Sequence, residues 1–137
     1  MIDADAVRQF ARQNHRAVLA TTRANGRPQL SPVTVGVDEE DYIVISTRET
    51  SMKVANLRRD PWATLCVFTD GFFGDWVQAA GPVEIVSLPE AMDGLVEYYR
   101  RISGEHPDWD EYRAVMARDQ RCLLRVAVEE AGPNKAG

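Results

Sequence analysis

The sequence predicts a mainly β domain with flanking helices, an α+β fold built on a small β-barrel, and three observations lead there. About six short runs of apolar or alternating residues are bounded by Gly, Pro, Asn and Asp, the spacing of short strands in a barrel. Only a few stretches carry helical spacing. The chain of 137 residues can bury a real core but not two, so residues 1–137 are expected to form one domain, with 131–137 a frayed tail.

Residues 3–13 open the chain as a helix. Val7, Phe10 and Ala11 fall on one side, Arg8, Gln9 and Arg12 on the other, and Asp3 or Asp5 can cap its start. A strand over 17–22 follows. Arg23-Ala24-Asn25-Gly26-Arg27 is a hairpin loop, since Asn-Gly tolerates the positive φ that such turns need. The returning strand covers 28–37, with Val33, Val35 and Val37 on one face and Ser31, Pro32 and Thr34 near the other. Pro28 and Pro32 lack amide donors, which places this strand at a sheet edge or bulges it. After a turn at 38–41, a third strand runs over 42–47. A short helix beginning at Thr50 or Ser51 stops before Asp60-Pro61. Strand four spans 63–69, a loop follows at 70–75, and Trp76 to Ala80 continues through a bend at Gly81 to Val86. A helix over 89–101 uses Pro89 in its first turn and carries Met92, Leu95, Val96 and Tyr99 as its apolar stripe. Another, over 109–117, turns Tyr112, Val115 and Met116 inward, and residues 122–128 close as the last strand.

Composition narrows the function. Apolar content of 45% and charged content of 27% are those of an ordinary globular protein. A net charge of -5 argues against a general nucleic-acid surface, which needs a basic face. No apolar run reaches the length of a membrane span and the N-terminus is acidic rather than signal-like, so a cytoplasmic location is expected. Cys66 and Cys122 sit in apolar strand-like runs and read as buried, inert thiols. His15 and His106 are far apart and lack ligand-spaced partners, so no metal site is expected. No nucleophile–base signature is present, and no catalytic residue is legible.

The stretch Ser46 to Pro61 carries the chemistry. A helix start offers unpaired N–H groups and a partial positive charge, which suit an anion. Ser46, Thr47, Arg48 and Lys53 place hydroxyl and cationic donors beside that end, making a candidate phosphate cradle. The same pattern also fits an exposed helix between two strands with basic residues on its wet face.

Three ordered motifs carry a resemblance: Asn25 to Ser31, Lys53 to Pro61, and Gly104 to Arg113. Together they resemble the pyridoxamine 5'-phosphate oxidase-like flavin and deazaflavin family, and more narrowly its actinobacterial branch of F420-dependent reductases. The similarity spans about residues 10–128. It implies a six-stranded split β-barrel of the FMN-binding type, and a homodimer with one cofactor in each inter-subunit groove. It matches Lys53 and Ser46, with Thr47 adjacent, to the cofactor-phosphate grip, and Gln29, Ser31, Pro32 and Val33 to the strand along the tricyclic ring. Trp76 is the candidate for an aromatic that reaches the partner's pocket. Ser51 and Ala55 stand where close relatives often have arginine, with Arg48, Arg58 or Arg59 available to compensate. Pro32 stands where some relatives have asparagine.

The resemblance further implies coenzyme F420 as cofactor, with FMN as the alternative, and hydride transfer to or from a small organic substrate. In such chemistry the protein positions the reactants and excludes water. Thr34, Tyr42 and Tyr112 are open as proton donors, and Arg48 or Arg58 could line an exit for the anionic F420 tail. Three other readings remain beside it: an FMN protein of the same fold, a non-catalytic cofactor-binding module, and a barrel without cofactor.

Overall fold

The computed structural model describes residues 2–133. In chain order the elements are α1 (Ala4–Gln13), β1 (Arg16–Thr22), β2 (Pro28–Thr34), β3 (Gly36–Val37), β4 (Ile43–Arg48), α2 (Met52–Arg59), β5 (Trp62–Phe68), β6 (Trp76–Val86), α3 (Met92–Ser103), α4 (Trp109–Arg118), β7 (Arg121–Val126) and β8 (Glu130–Gly132). The strands form one antiparallel sheet in the order β2-β1-β5-β6-β7-β4-β3, with β8 added to β6. This is the mainly antiparallel split half-barrel with flanking helices that the sequence predicts.

Three differences from the expected elements each have a local cause. The single strand over 28–37 is two strands, because it leaves β1 at Thr34 and rejoins the sheet against β4 from Gly36. Within β2, Gln29, Ser31 and Val33 are half-buried while Leu30, Pro32 and Thr34 are exposed, so Ser31 belongs with Val33 and not with Pro32 and Thr34. The expected tail from 131 is partly structured: Glu130, Ala131 and Gly132 pair with Ala80, Ala79 and Gln78. Residues 134–137 of that tail lie outside the described residues.

Other expectations hold closely. Asp3 caps α1 by accepting from the Ala6 amide, while Asp5 pairs with Arg8 instead. The Asn25-Gly26 hairpin is closed by Arg23 N–H donating to Arg27 O at 2.8 Å, with Gly26 at φ 84°. β2 is an edge strand, as its two prolines require.

Two cores hold the fold. Inside the barrel, Leu19, Ile43, Ile45, Leu65, Val67 and Leu124 pack with Val54 and Leu57 of α2, which plugs one end. On the outer face of β4 and β7, Val44 and Leu123 pack beneath α3 and α4 with Leu95, Val96, Tyr112 and Met116. Strand alternation therefore sends Ile43, Ile45 and Thr47 inward and Val44, Ser46 and Arg48 outward. The cross-strand partners Arg48↔Arg121 and Ser46↔Leu123 share that outer face.

The two ends of the sheet, β2 and β3, are separated in the chain only by Val35. The barrel is thus joined covalently at one point and left unpaired between β2 and β4. That unpaired gap opens into a cleft.

Candidate functional site

A cleft of about 650 Å³ opens in the gap between β2 and β4. β2 supplies Pro32, Val33 and Thr34, β4 supplies Ser46 and Thr47, and α2 supplies Lys53. The opposite wall is aromatic: Tyr98 and Tyr99 from α3, and Tyr112 with Met116 from α4. Arg121, at the start of β7, completes the lining. It includes two cations and no carboxylate. The contrast is with a depression beside α3, where Glu39, Glu40, Glu84, Glu90, Asp93 and Glu97 gather. In a chain of net charge -5, the acid-free cleft is a local exception that suits an anion.

The α2 start is built to leave donors available. Ser51 occupies the N-cap but makes no side-chain cap hydrogen bond. Its hydroxyl instead lies 3.4 Å from Thr47 Oγ1. The first-turn amides are therefore uncapped, and Lys53 forms no ion pair among the described residues.

The tyrosine wall is held by hydrogen bonds and by the loop after α3. The Tyr98 hydroxyl donates to Thr34 O at 2.9 Å and ties α3 to β2 across the cleft mouth. The Tyr112 hydroxyl donates to Leu95 O at 2.8 Å. Burial pushes the Tyr112 phenol up to about 12, and burial also raises Tyr98 against the opposing influence of the Ser46 backbone and the Arg121 charge. Both are neutral phenols whose hydroxyls donate to backbone carbonyls, and Tyr112 lines the cleft. Tyr42 is excluded by place, since it does not line the cleft and lies under the Arg125 guanidinium. Thr34 does line it.

His106 accepts from the Asp108 amide through Nδ1 and packs against Tyr99, Trp109 and Tyr112. The motif from Gly104 to Arg113 thus packs around Tyr99 and contributes Tyr112 to the wall. His15 bonds Val35 O and also lies outside the cleft lining.

Of the site residues expected from sequence, the structure brings Pro32, Val33, Ser46, Thr47 and Lys53 together. Gln29 and Ser31 do not line the cleft. Gln29 borders a separate depression with Arg23 and Arg59, and its Oε1 lies 3.4 Å from Asn56 Nδ2. Trp76 pairs with Phe68, which pairs with Arg16, which pairs with Thr34. At about 4.8 Å per strand it stands roughly 14 Å across the sheet from the cleft of its own chain. Tyr98, Tyr99, Met116 and Arg121 were not read as site residues. The helical stripe placed Tyr99 and Met116 in the core, and nothing local marks Arg121, which reaches the cleft only through the register of β7 on β4.

The arginines available to compensate at Ser51 and Ala55 are engaged elsewhere. Arg58 pairs with Glu49 at 2.6 Å, and Arg59 donates to Thr22 O and Asn56 Oδ1. Arg48 lies 3.8 Å from Asp119. Among the described residues no group of histidine, cysteine and carboxylate side chains could hold a metal ion, and no helix is long and apolar enough to cross a membrane.

A sequence profile of the family described as "Pyridoxamine 5'-phosphate oxidase" matches residues 4–134. Among solved structures, a conserved hypothetical protein of Mycobacterium tuberculosis superposes with a TM-score of 0.77 at 21% identity, over 100% of this chain and 92% of that one. An F420 reductase superposes with a TM-score of 0.70 at 18% identity, over 90% of this chain and 94% of the other. The heme storage protein HutZ of Vibrio cholerae gives 0.71 at 15% identity, over 93% and 92%. At these identities the likeness establishes the fold.

Proposed function

The chain belongs to the pyridoxamine 5'-phosphate oxidase family, and from that premise we propose that it is an F420-dependent reductase acting on a small organic substrate. The observation that carries the reading is the acid-free cleft in which Lys53 and the uncapped start of α2 face the unpaired gap between β2 and β4. A phosphate-bearing tricyclic cofactor fits this donor set. When bound, such a cofactor supplies two-electron hydride chemistry.

The residues divide the remaining work. Lys53, the α2 amides and the Ser46 hydroxyl hold the phosphate by charge-assisted hydrogen bonds. Pro32 and Val33 present edge-strand backbone to the ring. Gln29 and Ser31, off the cleft in one chain, extend that strand toward the hairpin. The tyrosine wall excludes water and sets the approach of the substrate. Assembly as a cytoplasmic homodimer would bring the Trp76 of a second copy to the groove that the Trp76 of the same chain does not reach.

Support for F420 comes from Arg48, the register partner of Arg121, whose side chain is 59% exposed 3.8 Å from Asp119 and would flank an anionic tail that leaves the cleft past Arg121. Support for FMN as the second reading comes from Arg58, which Glu49 holds away from such an exit. A histidine-ligated heme finds no support in the lining, because neither His15 nor His106 reaches it.

The deciding experiment is a fluorescence titration of the cofactor-free protein with F420 and, separately, FMN. Tighter F420 binding, followed by turnover of reduced F420 in a substrate screen, is the expected result. The reverse preference moves the protein to the FMN group, binding without turnover makes it a carrier, and binding of neither refutes the cofactor reading.

A further inference from the structure

Among the described residues, Arg121 combines a buried unpaired donor with a place in the cleft lining. Its Nε is buried and has no hydrogen-bond partner among the described residues. It forms no ion pair among them either, whereas Arg48, Arg58, Arg100 and Arg125 all do. Register sets it directly opposite Arg48 on the outer face of β4 and β7. A guanidinium left without a partner at the edge of a cleft costs stability, and an oxyanion bound in the cleft would supply that partner. The guanidinium lines the same cleft as Lys53, which is also unpaired among the described residues, and no carboxylate lines that cleft.

We propose that Arg121 is a second anion-binding residue of the cleft, gripping the phosphate of the ligand from β7 while Lys53 grips it from α2. The inference rests on the reading that the cleft holds a phosphate-bearing cofactor, and it names a residue that this reading did not require. It also accounts for Ser51 and Ala55: the cation missing from α2 is supplied from the other end of the chain. A guanidinium offers its terminal N–H groups as a fork to two phosphate oxygens, which a lysine cannot do.

The test compares wild type, Arg121→Met and Arg121→Lys for binding of F420, FMN, riboflavin and inorganic pyrophosphate by calorimetry, with the Tm of each unliganded protein. Met keeps the stem that packs beside Leu123 and removes the orphaned donor. Arg121→Met is expected to weaken every phosphate-bearing probe that wild type binds at least tenfold, leave riboflavin unchanged, and keep or raise Tm. Arg121→Lys falls between the two. Pyrophosphate binding that depends on Arg121 without any flavin or F420 binding upholds the anion site and refutes the cofactor reading alone. Equal affinities in Arg121→Met and wild type overturn the proposal. So does a parallel loss of riboflavin binding and Tm, which assigns Arg121 to structure, and so does a wild type that binds none of the probes.

Discussion

Gly81→Ala tests how the barrel is closed along β6. One edge of β6 pairs with β7 from Val83 to Val86 and with β8 from Gln78 to Ala80, and Gly81 lies at the seam where residues 127–129 pass. A Cβ there would stand 1.6 Å from Ala127 O, 2.8 Å from its carbonyl carbon and 3.3 Å from Glu129 N. The obstacle is backbone rather than a flexible side chain. Carbon and oxygen rest about 3.3 Å apart, so the passing chain must retreat by roughly 1.7 Å. That movement strains Ala127 N–H to Pro82 O and Glu129 N–H to Ala80 O, both 3.0 Å. Losing the two bonds costs about 1–3 kcal/mol, and overpacking adds about 1–3 kcal/mol. The stiffer unfolded chain returns about 0.4–1 kcal/mol, leaving a net loss of about 1–5.6 kcal/mol. At about 2.1 cal/mol/K of unfolding entropy per residue, that lowers Tm by roughly 3–19 °C. Calorimetric or urea unfolding beside Gly71→Ala, where an added Cβ meets nothing within 4 Å, isolates the effect. A Gly81→Ala protein within 1 kcal/mol of wild type would refute the seam as described.

Lys53→Ala is expected to weaken binding of a phosphate-bearing cofactor at least about tenfold, since a charge-assisted contact is worth around 1.5–3 kcal/mol; unchanged affinity in the same titration would mean that the cradle is misplaced. Burial raises the Glu49 carboxyl, but the Ser87 hydroxyl and Arg58 together bring it below its ordinary value of 4.5. A depressed carboxyl contributes stability above its unfolded value and loses it as pH falls through the folded one. The stability gap between wild type and Ser87→Ala should therefore be full at neutral pH and close below pH 4.5, and a gap constant down to pH 3 would contradict this. Burial pushes the Cys122 thiol up to about 11 and leaves it 0% exposed, whereas Cys66 is half-buried. A disulfide reagent at pH 8 should modify Cys66 first and Cys122 only on unfolding; equal rates in the native protein would show that β7 opens.

Much of the fold was legible because its signals are local. Pro28 and Pro32 have no amide donor, which pointed to an edge or a bulged strand, and Asn25-Gly26 marked its hairpin. Lys53 was legible because a helix stop at Asp60-Pro61 and a hydroxyl-rich entry define both ends of α2. The face of Ser31 was misread because the valines at 33, 35 and 37 suggest one continuous strand, while the chain breaks pairing between Thr34 and Gly36. A single residue without a partner resets which side chains share a face.

By itself the sequence determined the class of fold, most element positions, the hairpins and the cationic helix start, all of which follow from propensity, spacing and turn chemistry within a few residues. Tertiary structure alone decided that Arg121 and Lys53 line one cleft, that Tyr98 ties α3 to β2 by donating to Thr34 O, that Trp76 stands strands away, and that Gly81 must be glycine. These depend on which strands pair and in what register. Register is fixed by burying a whole face at once, a sum over distant residues that no short window of sequence contains.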